Sequence, residues 1–118
     1  MDDKTLLRID SLLKHIDRVL EDTDALTLEQ LKKSDLLLRA TCFSIAQIGE
    51  IMNQLEKSLR AAYPSLPWVG AKRMRNVIVH DYGHADVEQI YSTIHGDLPL
   101  LKTEFLTIRN KLVSIKKN

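Results

Sequence analysis

At 118 residues the chain can bury one hydrophobic core and is too short for a second, so a single domain spanning 1–118 is expected. A 44% apolar and 28% charged composition excludes a disordered chain. Seventeen Lys and Arg against sixteen Asp and Glu leave a net charge of +1, which excludes bulk electrostatic capture of nucleic acid and confines any such binding to a local patch.

Leu6, Ile9, Leu13, Ile16 and Leu20 recur at three- and four-residue steps and predict a helix from about Asp2 to Glu21. Asp22 to Ala25 reads as a turn. Thr27 with Gln30 is a capping-box pattern, in which hydroxyl and amide satisfy each other's free backbone donors, and a helical region starts there. Up to Ala62 it meets neither Gly nor Pro except Gly49, which would give about 54 Å of straight helix. That is too long for a domain of this size, so a break is expected near Lys33-Ser34, with Ser34 capping a main segment from Asp35 to Ala62. Its core face would hold Leu38, Ile45, Ile48, Met52, Leu55 and Leu59.

Tyr63-Pro64-Ser65-Leu66-Pro67 is a loop, because two prolines three apart cannot sit inside a helix. Ser65 and Pro67 open a third helix, Trp68 to about Tyr82, with Gly83 as its left-handed stop. Asp86 with Gln89 resembles another cap. Val87, Ile90, Ile94, Leu98, Leu101, Phe105, Ile108, Leu112 and Ile115 then form the most regular apolar stripe in the chain, and Pro99, helped by Gly96, should bend it. No run alternates long enough for a strand. The expected fold is all-α, an antiparallel up-and-down bundle of four main helices.

Cys42, the one cysteine, lies in an apolar helical setting and reads as a buried, inert thiol. No apolar run reaches membrane-spanning length and the N-terminus is too polar for a signal peptide, which points to a cytoplasmic protein without membrane contact. Lys111, Lys116 and Lys117 at the C-terminus complement a helix dipole.

The stretch RMRNVIVHDYGH, residues 73 to 84, concentrates the chemistry, and with Lys72 it forms the main basic patch. The plainest reading is a solvated helix end, with Val77, Ile78 and Val79 buried and His80 near the C-terminal dipole. A second is a metal site on His80 and His84 with Asp81, which requires a continuous helix that Gly83 interrupts. A third is an acid-base site. Arg75 and His80 are five apart, about 140° and about 7.5 Å on a helix, so one helix cannot close both on a small group but two copies packed about a two-fold axis can. Tyr82 returns to the face of Arg75 within about 20° if the helix persists that far. A histidine that moves a proton and an arginine that holds phosphate charge suit phosphodiester cleavage, and RNA supplies its own nucleophile, so neither metal nor cofactor is needed.

Arg75-Asn76-Val77-Ile78-Val79-His80 resembles the R-x4-H motif of the HEPN superfamily, including the polar residue after the arginine, and Tyr82 extends it to the R-x4-H-x-Y of HepT-like toxins. Pro67-Trp68, Met74 to Asn76, Ile48 to Glu50 and Asp97 to Pro99 are similar to that family in the family's order. The resemblance implies an all-helical homodimer or higher oligomer whose paired motif helices form a metal-independent RNase cleft. It further implies a toxin of a type VII toxin-antitoxin system, acting on RNA and neutralised by a minimal nucleotidyltransferase antitoxin that attaches AMP to Tyr82. Arg75 and His80 are then the catalytic pair, with Asn76 and Arg73 as supporting phosphate-binding groups. The alternative is a non-catalytic nucleotide- or substrate-binding subunit paired with a nucleotidyltransferase. Asp81 could orient His80 or weaken RNA binding. Glu50 reads as a solvated or interhelix-paired carboxylate, Gly49 as a close-approach residue, and Trp68 as an anchor of the third helix.

Overall fold

The computed structural model describes residues 3–117, with side chains described for 3–115. The expected start at Asp2 and the side chains of Lys116 and Lys117 therefore lie outside the described residues. Every element is helical: α1 (Asp3–Asp22), α2 (Leu28–Lys33), α3 (Asp35–Gln54), α4 (Lys57–Ala62), α5 (Trp68–Asp81), a 3-10 turn (Tyr82–His84), α6 (Val87–Ser92), a π-helical segment (Thr93–Asp97) and α7 (Leu98–Lys117). The last three run on as one rod, so α1, α3, α5 and this rod are the four main helices.

Ion pairs and caps give the directions. Asp10 pairs with Arg109 and Asp17 with Lys102, seven residues forward on α1 for seven back on α7, so these helices are antiparallel. Thr5 near the start of α1 donates to Glu56, and Arg8 reaches the Gln54 carbonyl at 3.5 Å, so α1 is also antiparallel to α3. These pairs are partly exposed and contribute at most about 1 kcal/mol each. Burial supplies the rest, through one continuous cluster that includes Ile9, Leu12 and Ile16 of α1, Met52 of α3, and Leu98, Phe105 and Ile108 of the rod.

Both expected caps around α2 are present. Thr27 Oγ1 accepts from the Gln30 N–H at 3.2 Å while the Gln30 side chain accepts from the Thr27 N–H at 2.9 Å. Ser34 Oγ accepts from the Leu37 N–H at 3.3 Å and starts α3. In the turn before them, Ala25 takes a left-handed φ of 57°. Of the expected α3 core face, Leu38 is only half-buried and the other five residues are buried.

Three boundaries differ from expectation. The segment Asp35–Ala62 is not one helix, because Leu55 and Glu56 are both extended (ψ 149° and 144°) and separate α3 from α4. No local breaker marks that point; Glu56 is tied to Thr5 across 51 residues. Gly83 is not a left-handed stop, since no glycine has positive φ. Instead α5 ends one residue early, where Asp81 takes φ −153° and ψ 49° and the chain tightens into the 3-10 turn. Near Pro99, where the sequence predicts a bend, the chain forms a π segment, in which the Leu98 N–H bonds the Thr93 carbonyl five residues back. Pro99 lacks the N–H that the His95 carbonyl would otherwise accept, which favours the rearrangement.

Asp86 does cap α6, accepting from the Glu88 N–H at 3.0 Å. Along the rod, Ile90 to Ile108 of the predicted stripe are buried, Val87 and Leu112 are half-buried, and Ile115 is exposed. Trp68 anchors the start of α5: its indole N–H donates to the Tyr63 carbonyl at 2.9 Å, closing the proline loop, and its ring meets Phe105 edge-on at 6.1 Å. Among the described residues no helix is long and apolar enough to cross a membrane.

Candidate active site

Gly49 decides how closely α3 and α5 approach. A Cβ there would lie 2.6 Å from the Ala71 carbonyl oxygen and 2.8 Å from the Arg75 Cβ, both closer than van der Waals contact permits. The glycine lets the two backbones touch, and the next residue, Glu50, is thereby placed against Arg75. Glu50 Oε2 accepts from Arg75 Nε at 3.0 Å, and Gln54 donates to the other carboxylate oxygen at 3.2 Å. Arg75 also donates through Nη1 to the Asn76 side-chain oxygen at 2.8 Å. The guanidinium is thus gripped on Nε and Nη1. With both side chains of the Arg75-Glu50 pair about one-third exposed, it still faces solvent.

Of the apolar triplet between the motif residues, only Ile78 is buried; Val77 and Val79 are 39% and 54% exposed. In the solvated-helix-end reading all three could bury, and one of them does. Ile78 holds α5 to the core, and His80, two residues on, points into solvent with no hydrogen bond or ion pair among the described residues. By helical geometry Arg73 and His80, seven apart, share that outer face within about 20°, whereas Arg75 is turned about 140° from His80. One protomer therefore brings Arg75, Asn76 and Glu50 together and leaves His80 apart.

The other members of the stretch also part company. His84 Nδ1 pairs with Asp81 on the 3-10 turn, so Asp81 is engaged there and not with His80. Among the described residues no group of three His, Cys, Asp or Glu side chains is arranged to hold a metal. Tyr82 is half-buried against the core. Burial, then the neighbouring Cys42 and Asp35, raise its phenol above the ordinary value against the opposing pull of Arg39, so the hydroxyl stays protonated. These neighbours put Tyr82 beside the N-terminal half of α3. Cys42 itself is buried, and burial pushes its thiol up to about 11. Lys111 lies over the Tyr63 ring at 5.9 Å, away from this site.

The sequence profile of the family described as "Ribonuclease HepT-like" matches residues 12–108, which include α3, α5 and the whole R-x4-H-x-Y stretch. The chain is a HepT-like ribonuclease family member. Its HepT-like relatives include the probable ribonuclease HepT of Thermococcus cleftensis, 28% identical over 101 residues, which cover 82% of this chain and 92% of that one. A protein of Caldanaerobacter subterraneus subsp. tengcongensis, named as a candidate RNase, is 26% identical over 103 residues, 87% of this chain and 92% of its own. In Methanocaldococcus jannaschii the match is to half of a longer protein, named as a gamma-glutamylcyclotransferase and candidate RNase, 28% identical over 110 residues and 93% of this chain. No solved structure matches. The all-helical HEPN-type architecture and the RNase family expected from the motif therefore both stand.

Proposed function

We propose that the chain is the toxin of a type VII toxin-antitoxin pair: a metal-independent endoribonuclease whose site is completed by a second copy of itself. The observation that carries this reading is the split of the motif, with Arg75 fixed by Glu50 at 3.0 Å on one flank of α5 and His80 unpaired on another. Two α5 helices packed about a two-fold axis bring Arg75 of one protomer beside His80 of its partner. One histidine takes the proton of the ribose 2′-hydroxyl, whose oxygen attacks the adjacent phosphorus. The bond to the 5′-oxygen breaks, and the imidazolium so formed gives its proton to that leaving oxygen, so each site uses one histidine. Arg75 balances the charge gathering on the phosphoryl oxygens, and Asn76 keeps the guanidinium aimed. The products are a 2′,3′-cyclic phosphate and a 5′-hydroxyl. The HepT-like relatives named as ribonucleases support RNA as the substrate.

Tyr82 is the point of control in this reading. AMP attached there by a minimal nucleotidyltransferase partner adds an anion and bulk to the face of α5 that carries Arg75, and so competes with RNA by charge and by volume.

The test is cleavage of RNA by the purified protein with EDTA present. Arg75→Ala and His80→Ala should each abolish it while circular dichroism and the elution volume stay unchanged. Activity surviving both substitutions would sink the assignment. Co-production with the partner enzyme should add AMP mass to the wild type and none to Tyr82→Phe. A protein that binds nucleotide, cuts nothing and leaves growth unaffected is instead a non-catalytic binding subunit.

A further inference from the structure

Beside α5, on the side of Gly49 and Ala71, lies a cavity of about 260 Å³, bounded by α3, α5 and the rod at its π segment. Small residues leave it open: Gly70 and Ala71 line it where larger side chains would reach into it. Its walls are apolar, Ile48 and Leu101 among them. Its rim is polar, because the π segment brings Asp97 to the same opening as Gln89 and Ser92. Irregular helix turns of this kind are frequent at functional sites. The side chains of Gln89, Ser92 and Asp97 are solvent-facing and have no hydrogen bond or ion pair among the described residues. Thr93, also on the rim, spends its hydroxyl on the Gln89 carbonyl.

Apolar walls with an unpaired carboxylate at the edge suit an aromatic ring that presents N–H donors. Among nucleobases, guanine offers two adjacent donors, N1–H and the 2-amino group, to one carboxylate. Adenine sets its N1 lone pair at the corresponding place, which a carboxylate repels. A phosphate partner is close by: Arg73 follows Gly70 by three residues, a neighbouring position on a helix surface, and is exposed and unpaired among the described residues. His80 lies about 10.5 Å further along the same face. One short RNA segment then touches the cavity, Arg73 and His80 in turn.

We propose that this cavity is a nucleobase pocket selecting guanine near the cleaved bond, with Asp97 reading the base edge and Arg73 holding the attached phosphate. Its role in cleavage rests on the ribonuclease reading above; its ligand does not. The experiment is calorimetric titration of guanosine and adenosine 5′-monophosphates into the wild type, Ser92→Trp, Asp97→Asn and His80→Ala. Sequencing of the ends cut by each protein from a random-sequence RNA pool accompanies it. Ser92 is exposed, so the tryptophan closes the mouth without entering the core. Guanosine monophosphate should bind the wild type and His80→Ala alike, about tenfold or more tighter than the adenosine nucleotide. Asp97→Asn should erase that preference, and Ser92→Trp should remove binding. Equal binding of the two nucleotides, or binding untouched by Ser92→Trp, overturns the pocket. A wild type that binds guanosine monophosphate here and cleaves nothing overturns the ribonuclease reading and keeps the pocket. Cleavage with the same base preference in all variants that cut does the reverse.

Discussion

Arg75 owes its position to a hydrogen atom: because residue 49 has no Cβ, α3 and α5 come close enough for Glu50 to take the guanidinium at 3.0 Å. Gly49→Ala would force the Ala71 carbonyl and the Arg75 side chain away. We expect a loss of about 1–3 kcal/mol of stability, read by urea denaturation, together with a drop in RNA cleavage larger than in proteins destabilised equally elsewhere in the core. A variant as active and stable as the wild type would show that the close approach is dispensable. In the sequence, Gly49 is legible as a small residue and Arg75 and His80 as a spaced pair. The Glu50-Arg75 pair is not, because it joins residues 25 apart whose meeting depends on how two helices pack.

Among the elements, the helices of this HepT-like chain are legible where a local signal marks them, and not where the cause is remote. Thr27 with Gln30, Ser34 and the two prolines of the loop are local, and the structure uses each of them. The break at Leu55-Glu56 is not local: the residues there favour helix, and the chain leaves it where Glu56 meets Thr5 of α1. At Gly83 the reverse holds, since the chain leaves α5 at Asp81, without needing the glycine's left-handed freedom. Pro99 announces a disturbance in the last helix but not its form. The π segment it accompanies keeps Ile94 and Leu98 buried on either side and turns Asp97 outward to the cavity rim.

At the scale of the whole molecule, described residues span 50 × 27 × 21 Å and leave apolar side chains such as Leu36, Phe43 and Val79 exposed. Scattered single residues of this kind are ordinary; it is the divided motif that calls for a second copy. It makes a sharp prediction: inactive Arg75→Ala and inactive His80→Ala, unfolded together and refolded as a mixture, should regain about a quarter of wild-type cleavage. About half the dimers are then mixed, and each mixed dimer holds one intact site of two. Absence of any regain, with mixed dimers demonstrated by native mass spectrometry, would place each site within one protomer.

By itself the sequence determined the four main helices, most of the core, the caps and the residue types of the candidate site, because periodicity and capping are written in neighbours three and four apart. Tertiary structure alone decided which of those residues meet. It joined Arg75 to Glu50, parted it from His80, paired Asp81 with His84, and opened a cavity beside α5. Each of these depends on the distance and rotation between helices, and those are set by packing across the core, which no local spacing records.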